Sequence, residues 1–183
     1  MTTIFTIGHG TRSTEELAEA LTAAGVRLLV DVRRFPGSRR NPQFAREVLE
    51  RSLPALGVEY DWRGEELGGR RSAPTDHVSR HVAWRTNAFR AYADYMDTDD
   101  FRTALDRLRS DAARTSAAVM CAETLWWKCH RRLISDALVI AGEEVVHIHD
   151  ATTRDTHELS EWARADEEGK IVYDVGVPGE LPL

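Results

Sequence analysis

Short apolar runs alternate with stretches of helical spacing along most of this chain, and that alternation is what most narrows its possible folds. Ile4 to Gly8 is a β-type run ending in Gly8-His9-Gly10. Ser13 and Glu16 then have the spacing of a capping box, and Leu17, Ala20, Leu21 and Ala24 recur on one helical face before Gly25. Val26 to Val32 is apolar at nearly every position until Asp31, as expected of a strand covered on both faces. Val58–Trp62, Ala117–Cys121 and Glu144–His149 read as further strands, with another possible between Lys170 and Val175.

The intervening helices are expected from Asn41-Pro42 through Leu53, around Phe89–Met96, from a Thr98 cap through Ala112, and from Leu125 to Ala141. Arg63 to about Val82 lacks periodicity and reads as a long loop of the kind that often forms a lid or binding segment. Strand–helix alternation implies right-handed crossovers and a mainly parallel sheet flanked by helices, an α/β fold in which residues 1–183 form a single domain.

Parallel strands share one C-terminal edge, so the residues that end them would meet there. That edge would gather Gly8 and His9, Asp31 with Arg33, Cys121 with Glu123, and His147 or His149. Glu123 and Asp31 are the candidate catalytic carboxylates, able to activate water or stabilise a developing cation. His9 and His130 are the candidate proton donors. Arg33, Arg39 and Arg131 are candidate anion clamps, because guanidinium forks match phosphate geometry. Gly8 and Cys121 would complete the binding surface, and Trp126 or Trp127 would offer a ring for stacking.

Charge favours a compact anion over a long polyanion. The formal net charge is −6, which argues against a wholly basic duplex-binding surface. Yet Arg27 to Arg51 holds seven arginines against three carboxylates, whereas Glu143 to Glu168 holds nine carboxylates against two arginines. No apolar run approaches the roughly 18 residues of a membrane helix. Met1-Thr2-Thr3 leads directly into a strand, and the chain has 2 cysteines, so a reducing cytoplasm is expected.

Those cysteines, Cys121 and Cys129, have the quieter reading of core residues. Leu125, Cys129, Leu133, Ala137 and Ile140 form one stripe at helical spacing, which makes Cys129 a small apolar side chain. Their separation is not that of a C-x-x-C redox pair. Cys121, Cys129, His130 and either His9 or His147 would make a zinc ligand set, but the spacing matches no familiar zinc motif. Adjacent Cys129 and His130 would also diverge on a helix. No metal and no cofactor are therefore assigned. The chain lacks G-x-G-x-x-G, the G-x-x-x-x-G-K-[ST] loop and a Cys-x5-Arg loop, which removes the corresponding nucleotide-binding and phosphatase classes.

Thr6-Ile7-Gly8-His9-Gly10, Leu29-Val30-Asp31-Val32-Arg33 with Pro36 and Ser38-Arg39, Leu67-Gly68-Gly69, Tyr92-Ala93-Asp94-Tyr95-Met96, Met120-Cys121-Ala122-Glu123 and Cys129-His130-Arg131 form an ordered series. It resembles the domain of unknown function 488 family from near the N-terminus to about Tyr173, with Val146-His147 and His157-Glu158-Leu159 in similar places. The chain departs from the family at Gly10, often serine there, and at Leu125-Trp126-Trp127, where acidic residues and proline are common. The resemblance implies a single cytoplasmic α/β domain with these motifs around one pocket. It implies no particular reaction.

Three readings remain open at this stage. The first is an enzyme, a hydrolase or group transferase acting on a phosphate-bearing small molecule, nucleotide or nucleic-acid end. The second is a non-catalytic module binding a nucleotide or nucleic-acid end. The third is thiol or metal chemistry at Cys121, Cys129 and His130.

Overall fold

The computed structural model describes residues 1–37, 40–72 and 77–176. Its main sheet is built from β1 (Thr3–Gly8), β2 (Leu28–Asp31), β3 (Glu59–Trp62), β4 (Ala117–Cys121), β5 (Glu144–Ile148) and β6 (Arg154–Thr156), in the order β3-β2-β4-β1-β5-β6. The first five strands are parallel, and β6 returns antiparallel along β5. The expected α/β architecture with a mainly parallel sheet is thus present. Among the described residues, no helix is long and apolar enough to cross a membrane.

Alternation along the strands divides the core into two layers. Leu29, Ala118 and Met120 point to one face, where they pack with Leu17 and Leu21 of α1 (Thr14–Ala23) and Leu49 of α2 (Arg46–Ser52). Val30, Ala117 and Val119 point to the other face. There they meet the short α3 (Gly64–Leu67), α4 (Asn87–Met96), α5 (Asp99–Ala112) and α6 (Arg131–Ile140). Chain leaving β1 or β2 crosses on the first face, and chain leaving β3 or β4 crosses on the second. Because β4 lies between β2 and β1, loops from neighbouring strands part in opposite directions. Such a divergence opens a crevice at the C-terminal edge of an open sheet.

Local signals account for the helix starts that the sequence predicts best. Ser13 Oγ accepts from Glu16 N at 3.1 Å and Glu16 Oε2 from Ser13 N at 2.7 Å, completing the capping box of α1. Thr98 caps α5 through Phe101 N at 3.3 Å.

Four expectations need correction. The helix predicted from Asn41 breaks into a 3-10 turn, Pro42–Phe44, followed by α2, with Ala45 extended between them. The carbonyl of Phe44 is taken by Arg33 Nη2 at 2.8 Å, so it does not serve a continuous helix. The helix predicted over Leu125–Ala141 is a 3-10 turn at Trp126–Lys128, an extended Cys129 and then α6. Tertiary packing overrides the helical pattern here: the Trp126 ring stacks on His147, with centroids 4.2 Å apart. Finally, β6 and the hairpin of β7 (Ala163–Ala165) and β8 (Ile171–Tyr173) occupy the tail, where only one strand was expected. The predicted loop after Arg63 contains α3, and residues 73–76 lie outside the described residues.

Candidate functional site

At the end of β2, a fully buried Asp31 holds Arg33. The Asp31 carboxylate accepts from Arg33 N at 3.0 Å, Nε at 2.9 Å and Nη2 at 2.5 Å, and from Tyr60 OH at 2.6 Å. Arg33 also reaches His9 Nε2 at 3.2 Å. His9 Nδ1 lies 3.0 Å from the Gly10 carbonyl. A carbonyl only accepts, so Nδ1 carries the proton and Nε2 receives the guanidinium. Sequence-predicted Asp31, Arg33 and His9 therefore form one locked, buried unit. Its outer element, Arg33, borders a cavity, whereas Asp31 and His9 lie behind it.

At the end of β4, backbone pairing continues past the strands through His9 N to Cys121 O and Gly10 N to Ala122 O, both at 2.9 Å. Gly8 permits this closeness: a Cβ there would collide with the Glu123 carbonyl. Arg131, only 1% exposed, donates to the Glu123 and Thr124 carbonyls and to Thr6 Oγ1. Its guanidinium thus braces the turn from behind and does not border the cavity. The Glu123 side chain is exposed at the cavity wall, where Oε1 accepts from Leu125 N at 3.1 Å.

The cavity has a volume of about 600 Å³. Among the described residues, Arg33, Arg34, Arg70 and Lys128 bring four cationic groups to its wall, and Glu123 is its one carboxylate. Arg34 Nη1 is buried without a hydrogen-bond partner among the described residues. Arg70 has φ +58°, the one positive value for a non-glycine among the described residues, and its guanidinium lies over the exposed Phe35 ring. Such backbone strain is common where a side chain must be aimed. Phe35 and Phe89 add aromatic surface. Arg34, Arg70 and Lys128 were not singled out from sequence; the doubled Arg33-Arg34 and the Gly69-Arg70 step were the available signals. Arg39 lies outside the described residues.

Cys121, Cys129 and His130 also line this cavity. Because Cys129 is extended rather than helical, the predicted divergence of Cys129 and His130 does not occur. His130 Nδ1 is 3.6 Å from Cys129 Sγ and 3.9 Å from Cys121 Sγ. A hydrogen bond from Cys121 pushes the Cys129 thiol well down, with His130 and Arg131 adding to the effect and burial opposing it. The same bond, together with burial, pushes Cys121 up. Trp126 and His147 lie elsewhere, in a buried chain running from Thr6 through His147 and His157 to Asp136.

Two of these histidines give the fold a defined acid sensitivity. His9 is held down to about 4, first by burial and then by Arg33, and His147 to about 2, first by burial and then by His157. Unfolded imidazole protonates near 6.5, so below that pH the unfolded chain binds protons that the folded chain refuses. The stability held by these rings is complete above pH 6.5 and falls as pH drops toward 4. The urea midpoint is expected to be lower at pH 5 than at pH 7; equal midpoints would contradict their neutral burial.

The family described as Domain of unknown function DUF488 matches residues 13–138. No curated protein and no solved structure matches the chain.

Proposed function

This chain belongs to the Domain of unknown function DUF488 family, and we propose that it is an enzyme acting on a phosphate-bearing small molecule, nucleotide or nucleic-acid end. The observation that carries the reading is the cavity wall itself, where, among the described residues, Arg33, Arg34, Arg70 and Lys128 meet a single carboxylate, Glu123. Arg33 is already matched by Asp31, so Arg34, Arg70 and Lys128 are the cations with charge to offer. Phe35 and Phe89 suit a ring carried by the same ligand.

Glu123 supplies the chemistry in this reading. Its carboxylate takes a proton from water, and the water oxygen forms a bond to phosphorus. The phosphorus–oxygen bond to the leaving group breaks, and that oxygen recovers the proton from Glu123. An alcohol in place of water gives transfer instead of hydrolysis. Asp31, His9 and Arg131 hold the frame, and Gly8 lets β1 approach it.

Thermal melts with inorganic phosphate, nucleotides and sugar phosphates test the cavity, because a ligand bound only to the fold raises Tm. Phosphorylated compounds are expected to stabilise the protein, and their dephosphorylated counterparts to do little. Arg34→Ala should weaken binding by about tenfold to a hundredfold, the loss expected for a charged hydrogen bond of about 1.5–3 kcal/mol. If no phosphate compound stabilises the protein, the reading fails.

A further inference from the structure

We propose that Cys121, Cys129 and His130 form a three-ligand site for a divalent metal of the zinc class, with its fourth position open to the cavity. The two Sγ atoms and a ring nitrogen of His130 all lie within 4.8 Å of one another. Tetrahedral zinc, with bonds of about 2.3 Å to sulfur and about 2.0–2.1 Å to nitrogen, sets sulfur–nitrogen separations of about 3.6 Å and a sulfur–sulfur separation of about 3.8 Å. The Cys129 sulfur lies at that 3.6 Å from Nδ1, and the Cys121 sulfur, at 3.9 Å, would close in by about 0.3 Å on binding.

The tautomer of His130 supplies an independent argument. Its Nε2 lies 3.2 Å from the Val32 carbonyl. That oxygen only accepts, so neutral His130 carries its proton on Nε2 and turns the Nδ1 lone pair toward both sulfurs. A backbone carbonyl holding the far N–H is the usual second support of a metal-bound imidazole. The ring is also fixed in place. A Cβ on Gly69 would sit 3.0 Å from Nδ1, and the Tyr92 ring centroid is 5.2 Å away. Cys121 ends a buried strand, and His130 immediately precedes α6.

Two thiolates and an imidazole favour zinc-like ions over magnesium or calcium, which take oxygen ligands. Two thiolates also balance the charge of a dication. Three protein ligands leave one position for water or a phosphate oxygen, and all three residues border the cavity that Glu123 and Lys128 also line. Only that open position rests on the anion reading above; the ligand set does not.

Chelator-treated, reduced protein titrated with Co2+ tests the ligand set. A single ion per chain is expected, with thiolate-to-cobalt charge-transfer absorption, intense tetrahedral visible bands and displacement by Zn2+. Cys129→Ser and His130→Ala should each weaken binding by more than about tenfold. Alkylation of wild-type thiols provides a readout that needs no variant: Zn2+ should protect both cysteines. Weak octahedral spectra, or thiols equally reactive with and without Zn2+, overturn the site. Inorganic phosphate added to the Co2+ form should shift the visible bands, and unchanged bands overturn the open position. Phosphate raising the Tm of the metal-free protein would still support the anion cavity, so the two failures are distinguishable.

Discussion

Asp31→Ala is expected to destabilise the protein by about 3–5 kcal/mol, the cost of leaving a buried charge without its partner. Asp31 is fully buried and Arg33 is 5% exposed, so water cannot replace the lost carboxylate without opening the core. Arg33 would keep only His9 Nε2 and the Phe44 carbonyl, while Tyr60 OH and Arg33 N would lose their acceptor. Asp31→Asn should cost less, because an amide oxygen can still accept from Tyr60. The exposed pair of Arg46 and Glu50 on α2 is the internal contrast: its bond is 2.7 Å, yet Glu50→Ala should cost less than about 1 kcal/mol. Urea denaturation of the three variants measures the differences. Equal losses for Asp31→Ala and Glu50→Ala would mean that Arg33 is hydrated and that the β2 edge is not the fixed wall described above.

The strands were legible because a parallel sheet covered on both faces leaves continuous apolar runs, as in Ala117–Cys121 and Leu28-Leu29-Val30. The sheet edge followed from them, and with it the meeting of Asp31, Arg33, His9, Cys121 and Glu123. What lay beyond reach was the direction in which each charged group turns. Arg131 and Arg34 are the same residue type near the same edge, yet one donates to backbone carbonyls in the interior and the other borders the cavity. That choice depends on carbonyls freed by the turn after β4, which no local pattern encodes. The break at Cys129 was hidden for a related reason: Leu125, Leu133 and Ala137 fit helical spacing, but the pull of Trp126 onto His147 is a contact across the fold. Three-residue strands such as β6 and β7 are too short for alternation to register.

Glu123→Gln is expected to lower kcat by about 10²- to 10⁴-fold, the range for removing a general base, while leaving phosphate affinity close to wild type. The substitution is conservative in geometry. Oε1 of Glu123 accepts from Leu125 N, and the amide oxygen of glutamine can accept the same bond, so the turn after β4 keeps its shape. What the amide loses is the capacity to take a proton from water. Arg34→Ala should give the converse pattern, with affinity reduced through the loss of a cation from the cavity wall. The pair of variants therefore separates catalysis from binding by kinetics with whichever phosphate compound gives the largest Tm increase. A protein that only senses its ligand would keep full affinity in Glu123→Gln and show no turnover in either form. Turnover that survives Glu123→Gln unchanged would remove this carboxylate as the base and transfer that role to another group at the cavity wall.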